Sequence, residues 1–369
     1  MKPISTFLFA VLFVGQVYAK DFTIENLKYT IIGHNTVSVG KAETNPEGEV
    51  IIPARVENKG IFYSVTSIDS GAFESCHRLK SIVIPNTITD IKDYAFINCY
   101  SLVSVSIPKS VTSIGMGAFA GCRNLIKVDF ASIESLCAIK FEGDVSNPLC
   151  YAKHLYINGE KITKLNFPDS INEIGDYAFV GCEDIISITI PVFVKRIGKE
   201  AFKSCIKVTE INVESSNTDY IAEDGVLFNK DKTELICFPA GKTGSYNIPN
   251  SVTNIWAKAF YNSGLTSVII PKSVKSIGNY AFAYCNNLKI VDIPNSVSNI
   301  DYGAFWQCTN LTTITIPSSV EIIEYGAFGG CKNLTIHCEL DEEPYGWELV
   351  EWNGDDCPVV WGEKIDQDK

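Results

Sequence analysis

The chain has 369 residues, of which 46% are hydrophobic and 20% charged, and its net charge at pH 7 is −12. An acidic excess of this size argues against nucleic acid and anionic lipid as partners, because both are held by basic surfaces. The four histidines, His34, His77, His154 and His337, are scattered without ligand spacing, which leaves little basis for a metal centre or a histidine-based triad.

Residues 1–19 have the layout of a secretory signal peptide. Lys2 supplies the basic start, Phe7 to Val14 the apolar stretch, and Val17-Tyr18-Ala19 a small-residue cleavage site before Lys20. The apolar run is too short to span a bilayer, and no later segment could. The expectation is an exported protein, secreted or at the cell surface, with no transmembrane segment.

From residue 66 to residue 338 the chain repeats itself. The dipeptide Ala-Phe recurs nine times, at Ala72, Ala95, Ala118, Ala178, Ala201, Ala259, Ala281, Ala304 and Ala327, mostly 23 residues apart. A full unit reads Leu102-x-x-Val105-x-Ile107-Pro108-x-x-Val111-x-x-Ile114-Gly115-x-x-Ala118-Phe119-x-x-Cys122. A period in this range marks a solenoid, in which each unit buries its apolar face only by stacking on its neighbours. Leu102, Val105 and Ile107 have the spacing of a short strand with one buried face. Pro108 ends that strand because it cannot donate to the next ladder bond. Val111 and Ile114 form a second inward pair, Gly115 permits a sharp turn, and Gly-x-x-Ala-Phe-x-x-Cys is expected to make one tight helical turn. Stacking in register would then build two narrow sheets along a mainly β solenoid with short helical or 3₁₀ turns.

Two gaps break the rhythm, from Ala118 to Ala178 and from Ala201 to Ala259, and each fits a regular coil plus an enlarged one. The enlarged coils lie near 131–165 and 214–247. The first holds Leu155-Tyr156-Ile157-Asn158-Gly159-Glu160-Lys161-Ile162, an Asn-Gly hairpin signal. The second holds Gly225 to Phe228 and Leu235 to Phe238, another hairpin separated by Asn229 to Glu234. Insertions in repeat proteins often carry the differing surface.

Of thirteen cysteines, eight share one repeat position: Cys76, Cys99, Cys122, Cys182, Cys205, Cys285, Cys308 and Cys331. One per coil makes a column of parallel Cβ vectors, a geometry a disulfide resists, so these read as buried thiols acting as small apolar spacers. In the unit at Ala259 the column residue becomes Ser263 and the period shrinks to 22, which ties cysteine to the geometry of the turn. Outside the column, Cys338–Cys357 is a possible disulfide and Cys137–Cys150 a weaker one.

These units closely resemble BspA-type leucine-rich repeats, found in bacterial surface antigens and some protist surface proteins. Ser146 to Gly159 and Glu223 to Lys242 are similar to variant pieces of the same family. The resemblance covers nearly all of 20–369 and implies a β-rich N-terminal cap over 20–65, a leucine-rich-repeat solenoid over 66–338 and a C-terminal cap over 339–369, closed by Cys357-Pro358-Val359-Val360-Trp361-Gly362. It further implies a surface-displayed or secreted bacterial protein that binds extracellular or host proteins or glycans, with adhesion to host matrix named for some members. It carries over no catalytic residue and no cofactor.

Other chemistry fails on spacing. Gly115, Gly117 and Gly121 match no phosphate loop. Asn229-x-Asp231-x-Thr233 lacks the glycine and the closing glutamate of a calcium loop and reads as a hairpin turn. Glu339, Asp341, Glu342 and Glu343 with Asp355 and Asp356 read as the polar outer face of a cap rather than a cation site. The candidate binding surface is aromatic: Trp256, Tyr261, Tyr280, Tyr284, Tyr302, Trp306 and Tyr325 occupy variable positions over four successive units. Either they are displayed for contact, or they pack over the coil edges and shield the Ala-Phe turns. A second candidate is the outer face of the first strand, with Lys80, Ser104, Ser106, Asp129, Thr189, Asn212, Thr266, Asp292, Thr313 and Thr315. The expected function is non-enzymatic binding; a self-associating structural protein and, more remotely, a hydrolase are the alternatives.

Overall fold

The computed structural model describes residues 21–41, 43–347, 351–354 and 357–363; the expected signal peptide lies outside them. The repeats stack as coils, and two ribbons of parallel strands run along the stack. In the first ribbon Leu79–Val83, Ser104–Ile107 and Lys127–Phe130 lie side by side, with Val105 between Ile82 and Val128. In the second, Asp90–Ile91, Ser113–Ile114 and Lys140–Phe141 do the same, with Ile114 between Ile91 and Phe141. The apolar residue of each rung faces the interior and is buried.

The sharp corner is closed by two consecutive turns. Ala118 N–H bonds to the Gly115 carbonyl and Cys122 N–H to the Phe119 carbonyl, both at 3.2 Å. The third residue of each turn is left-handed, Gly117 at φ 59° and Gly121 at φ 77°, which stops any helix from continuing. Neighbouring corners are laced together, as Phe96 N–H bonds to the Ala118 carbonyl at 2.7 Å. Gly115 itself needs no left-handed backbone. It is glycine because a Cβ there would come within 2.5 Å of the Asp93 nitrogen in the preceding coil, so close approach replaces turn freedom as the reason.

Inside, the phenylalanines stack as a ladder. Phe260, Phe282, Phe305 and Phe328 follow one another with centroids 4.6, 5.3 and 5.5 Å apart. The column cysteines do more than fill space: the Cys99, Cys122, Cys205, Cys285, Cys308 and Cys331 thiols each donate to a phenylalanine carbonyl one coil back, at 3.0–3.2 Å. Ser263, standing in that column, is buried with its Oγ 3.2 Å from the Cys285 sulfur.

The two sheets expected along the whole solenoid are each cut twice, because an enlarged coil cannot keep register with its neighbours. At the first cut the second ribbon stops at Lys140–Phe141 and resumes at Glu173–Ile174; at the second it stops at Arg196–Ile197 and resumes with Tyr220–Glu223, Val226–Asn229 and Glu234–Cys237. Both expected hairpins form, one turning at Asn158-Gly159 and one joining Val226–Asn229 to Glu234–Cys237. Short helices, Ile133–Ala138 and Leu149–Ala152, fill the first enlarged coil. Buried asparagines satisfy carbonyls that the cuts would orphan: Asn147 donates to Tyr177 and Ala178, Asn217 to Pro191 and Val194. The second hairpin is a partition. Leu227 and Ile236 face the N-terminal core, while Val226, Phe228 and Leu235 face the C-terminal one.

The ends are closed differently. Asp21–Ile24, Leu27–Gly33 and Thr36–Gly40 form an antiparallel meander from which the second ribbon starts, while the first ribbon starts at Gly48–Ile51. At the other end Trp352 meets Phe328 edge-on at 6.0 Å and Trp347 packs on Trp352, terminating the ladder. The register there pairs Ile336 with Val359 and His337 with Val360. Cys338 and Cys357 therefore lie four rungs apart, about 13 Å at strand rise, beyond the reach of a disulfide. Cys137 and Cys150 sit at opposite ends of the Gly175–Cys182 turn, against Gly175 and Gly181 respectively, with both sulfurs as thiols.

Candidate binding surface

The seven aromatics stand on the outer side of the corner turns, and the structure divides them. Trp256 is half-buried and packs against both cores, sealing the junction at the partition. Trp306 lies across Gly326 and Gly329 of the next coil, where a Cβ at Gly329 would fall 2.4 Å from its ring. Tyr280 likewise covers Gly303, and Tyr261 is sunk beneath Tyr284. Burial pushes the Tyr261 hydroxyl up to about 12; burial, with a hydrogen bond to Tyr302, does the same for Tyr280. These four shield the corners. Tyr284, Tyr302 and Tyr325 remain 38%, 37% and 43% exposed.

Tyr302 and Tyr325 stack at 5.6 Å, and Tyr280 meets Tyr302 edge-on at 5.2 Å, so the rings form a row along the corner. Two of the tyrosines stand on an unusual backbone. Tyr280 and Tyr284 occupy the two left-handed turn positions, at φ 54° and 60°, that glycine takes in other coils. A non-glycine residue there costs about 1–2 kcal/mol. The flanking acids are neighbours as well: Glu324 accepts the Tyr302 N–H at 2.9 Å, and burial plus the Glu324 charge raises the Asp301 carboxyl.

Beside this row lies a buried ionic chain that the sequence did not reveal. Lys203 reaches Asp144 at 2.6 Å and Glu200 at 3.4 Å, and Lys258 reaches the same Glu200 carboxylate at 2.7 Å. The Glu200 side chain is 3% exposed. Burial depresses Lys258 despite its partner, whereas for Lys203 the hydrogen bond it donates to Asp144 overrides burial and holds the ammonium up. The lysines also sit over Tyr261 and Tyr280, at 5.0 and 5.4 Å from the ring centroids. The chain ties the first enlarged coil to the coils on either side of the second.

The first-strand face is less bland than its serines and threonines imply. Val83, Val103, Ile126, Ile186, Ile269 and Ile290 also stand exposed on it. The histidines are dispersed, with His154 on Asp184, His337 on Glu363, and His77 stacked on Tyr100. The suspected calcium-loop residue Asn229 instead closes its hairpin, bonding Thr233 and the Glu234 N–H. In the acidic run, Glu343 holds the Trp352 indole and Glu339 accepts the Ser318 N–H, while Asp355 and Asp356 lie outside the described residues. Among the described residues no helix is long and apolar enough to cross a membrane.

A family model described as a BspA type leucine rich repeat region matches six copies across residues 55–145, 152–243 and 236–335. Among solved structures the chain is similar to the pneumococcal vaccine antigen PcpA, at 21% identity over 93% of this chain and 86% of that one, with a TM-score of 0.59. It is also similar to a leucine rich cell surface protein from Faecalibacterium prausnitzii, at 24% identity over 90% and 98% of the two chains, with a TM-score of 0.54. At these identities the likeness establishes the fold. No curated protein matches.

Proposed function

The chain belongs to the BspA-type leucine-rich repeat family, and from that premise we propose that it is an exported, non-enzymatic binding protein of the bacterial cell surface or its surroundings. Its partner is an extracellular protein or glycan. The reading rests on one observation: the repeat's apolar side chains are taken up by the core, yet three tyrosines on successive C-terminal coils, Tyr284, Tyr302 and Tyr325, remain partly exposed along the corner, the last two stacked on each other. Tyrosine gives apolar area and a hydrogen-bonding tip with little rotamer entropy to lose, which suits a contact surface on a rigid support. The apolar run at Phe7 to Val14 supports export, and the similar Faecalibacterium structure, a leucine rich cell surface protein, accords with it.

The test is a panel of immobilised extracellular-matrix proteins and glycans probed with the purified protein. A saturable signal with one class of partner supports the proposal and names that class. A blank panel, with oligomers that grow with concentration, would replace it with a self-associating structural protein.

A further inference from the structure

We propose that the cut in the second ribbon at the first enlarged coil is a slot that accepts an extended peptide strand from a protein partner. Lys140–Phe141 is paired on one side only, to Ser113–Ile114, and Glu173–Ile174 on one side only, to Arg196–Ile197. The two strands do not pair with each other. Between them opens a cleft of about 940 Å³, lined by Lys140, Phe141 and Glu142 on one wall and Ser170, Asn172 and Glu173 on the other. One end is closed, where Gly175 N–H bonds to the Cys137 carbonyl at 3.1 Å.

The second cut of the same ribbon shows what a filled edge looks like. There the Tyr220 hydroxyl accepts the Ile197 N–H at 3.0 Å and donates to the Lys195 carbonyl at 3.4 Å, in place of a strand. At the first cut Asn147 serves the Tyr177 and Ala178 carbonyls, and among the described residues no side chain bonds to the strand edges facing the cleft. Bare strand edges recruit another strand, because each unpaired N–H and C=O gains a partner.

The ribbon fixes the guest's direction and chemistry. Each coil donates back to the one before it, as Lys195 N–H does to Asn172 O and Gly198 N–H to Ile174 O, both at 2.8 Å. A guest that continues this pattern runs parallel to Glu173–Ile174, donates towards Lys140–Phe141 and accepts from Asn172 and Glu173. Its outward side chain lies between Lys140 and Glu173, both exposed and of opposite charge, which favours a polar residue. Its inward side chain meets Phe141 and Ile174, both buried in a filled core, which favours a small one.

The experiment pans a library of short random peptides on the intact protein and measures the selected binders by amide hydrogen exchange and by affinity. In the free protein the Asn172 and Glu173 amides exchange fast while that of Ile197 is protected; bound peptide slows Asn172 and Glu173. Glu173→Pro, which deletes a slot-facing N–H, weakens binding about tenfold, whereas Tyr345→Ser, at an exposed residue near the other end of the chain, leaves it unchanged. Binders indifferent to Glu173→Pro, or Asn172 and Glu173 amides already protected in the free protein, would overturn the slot and leave the tyrosine row untouched. The exchange measurement needs no variant and decides the matter even if Glu173→Pro fails to fold.

Discussion

Phe282→Ala is the sharpest perturbation of the scaffold. Its ring is fully buried and sandwiched, 4.6 Å from Phe260 at 14° and 5.3 Å from Phe305 at 4°. Its backbone is committed too, with the N–H on the Ala304 carbonyl and its own carbonyl accepting both Cys285 N–H and the Cys308 thiol. Alanine preserves those bonds, so the loss isolates the side chain. Core Phe→Ala changes cost about 3–5 kcal/mol. Ring pairs add about 0.5–1.5 kcal/mol each beyond burial, and Phe282 has two, which places it at the top of that range. Phe202 makes the comparison. It has one ring partner, Phe179 at 6.0 Å, and borders a small cavity of about 50 Å³, so Phe202→Ala should cost about 3 kcal/mol. All five tryptophans lie at or beyond residue 256, so their fluorescence in a guanidinium titration reports the C-terminal half directly. A Phe282→Ala loss below about 1 kcal/mol, or one smaller than that of Phe202→Ala, would refute the ladder as the source of stability.

Tyr220→Phe removes the hydroxyl that fills the second cut and leaves the Ile197 N–H unpartnered, a loss of about 1–3 kcal/mol; unchanged protection of the Ile197 amide would contradict this. Glu200→Ala strands Lys258 in a buried site and should cost about 3–5 kcal/mol, with Lys258→Met in the same chain recovering much of it; an unshifted denaturation midpoint would show the ionic chain to be incidental. Burial raises the Cys76 and Cys285 thiols to about 11 and the Cys122 and Cys237 thiols to about 12. The folded state thus holds these protons longer than the unfolded chain does. Stability is therefore full below about pH 9 and falls through pH 11–12, by about 1.4 kcal/mol per pH unit for each thiol. Urea midpoints across that range and slow labelling of native thiols check it; a flat profile with rapid labelling would be inconsistent with buried thiols.

Much of this was readable in the residues. The period placed the strands, the Ala-Phe corners and the thiol column, because a repeat shows the same physical demand many times over. Asn158-Gly159 announced its hairpin. Asp224-Gly225, left-handed at both residues, announced another, and the strand Tyr220–Glu223 before it was nonetheless missed. What could not be read depends on neighbours distant in sequence. Lys203 and Asp144 are 59 positions apart and meet only because an enlarged coil folds back. Gly115 looked like a turn residue and is a contact residue, a distinction that exists only once the coils are stacked. The aromatic set was found as a group; separating its shielding members from its exposed ones required the glycines on which Tyr280 and Trp306 lie.

The most direct test of the functional account takes the strongest partner from the extracellular panel and compares the wild type with a variant carrying Tyr284→Ser, Tyr302→Ser and Tyr325→Ser, after matching their denaturation curves. The account predicts that the variant folds as before and binds at least tenfold more weakly, since these rings are partly exposed and belong to neither buried core. Equal affinity would contradict it and move the contact surface elsewhere, with the exposed aliphatics of the first-strand face next in line.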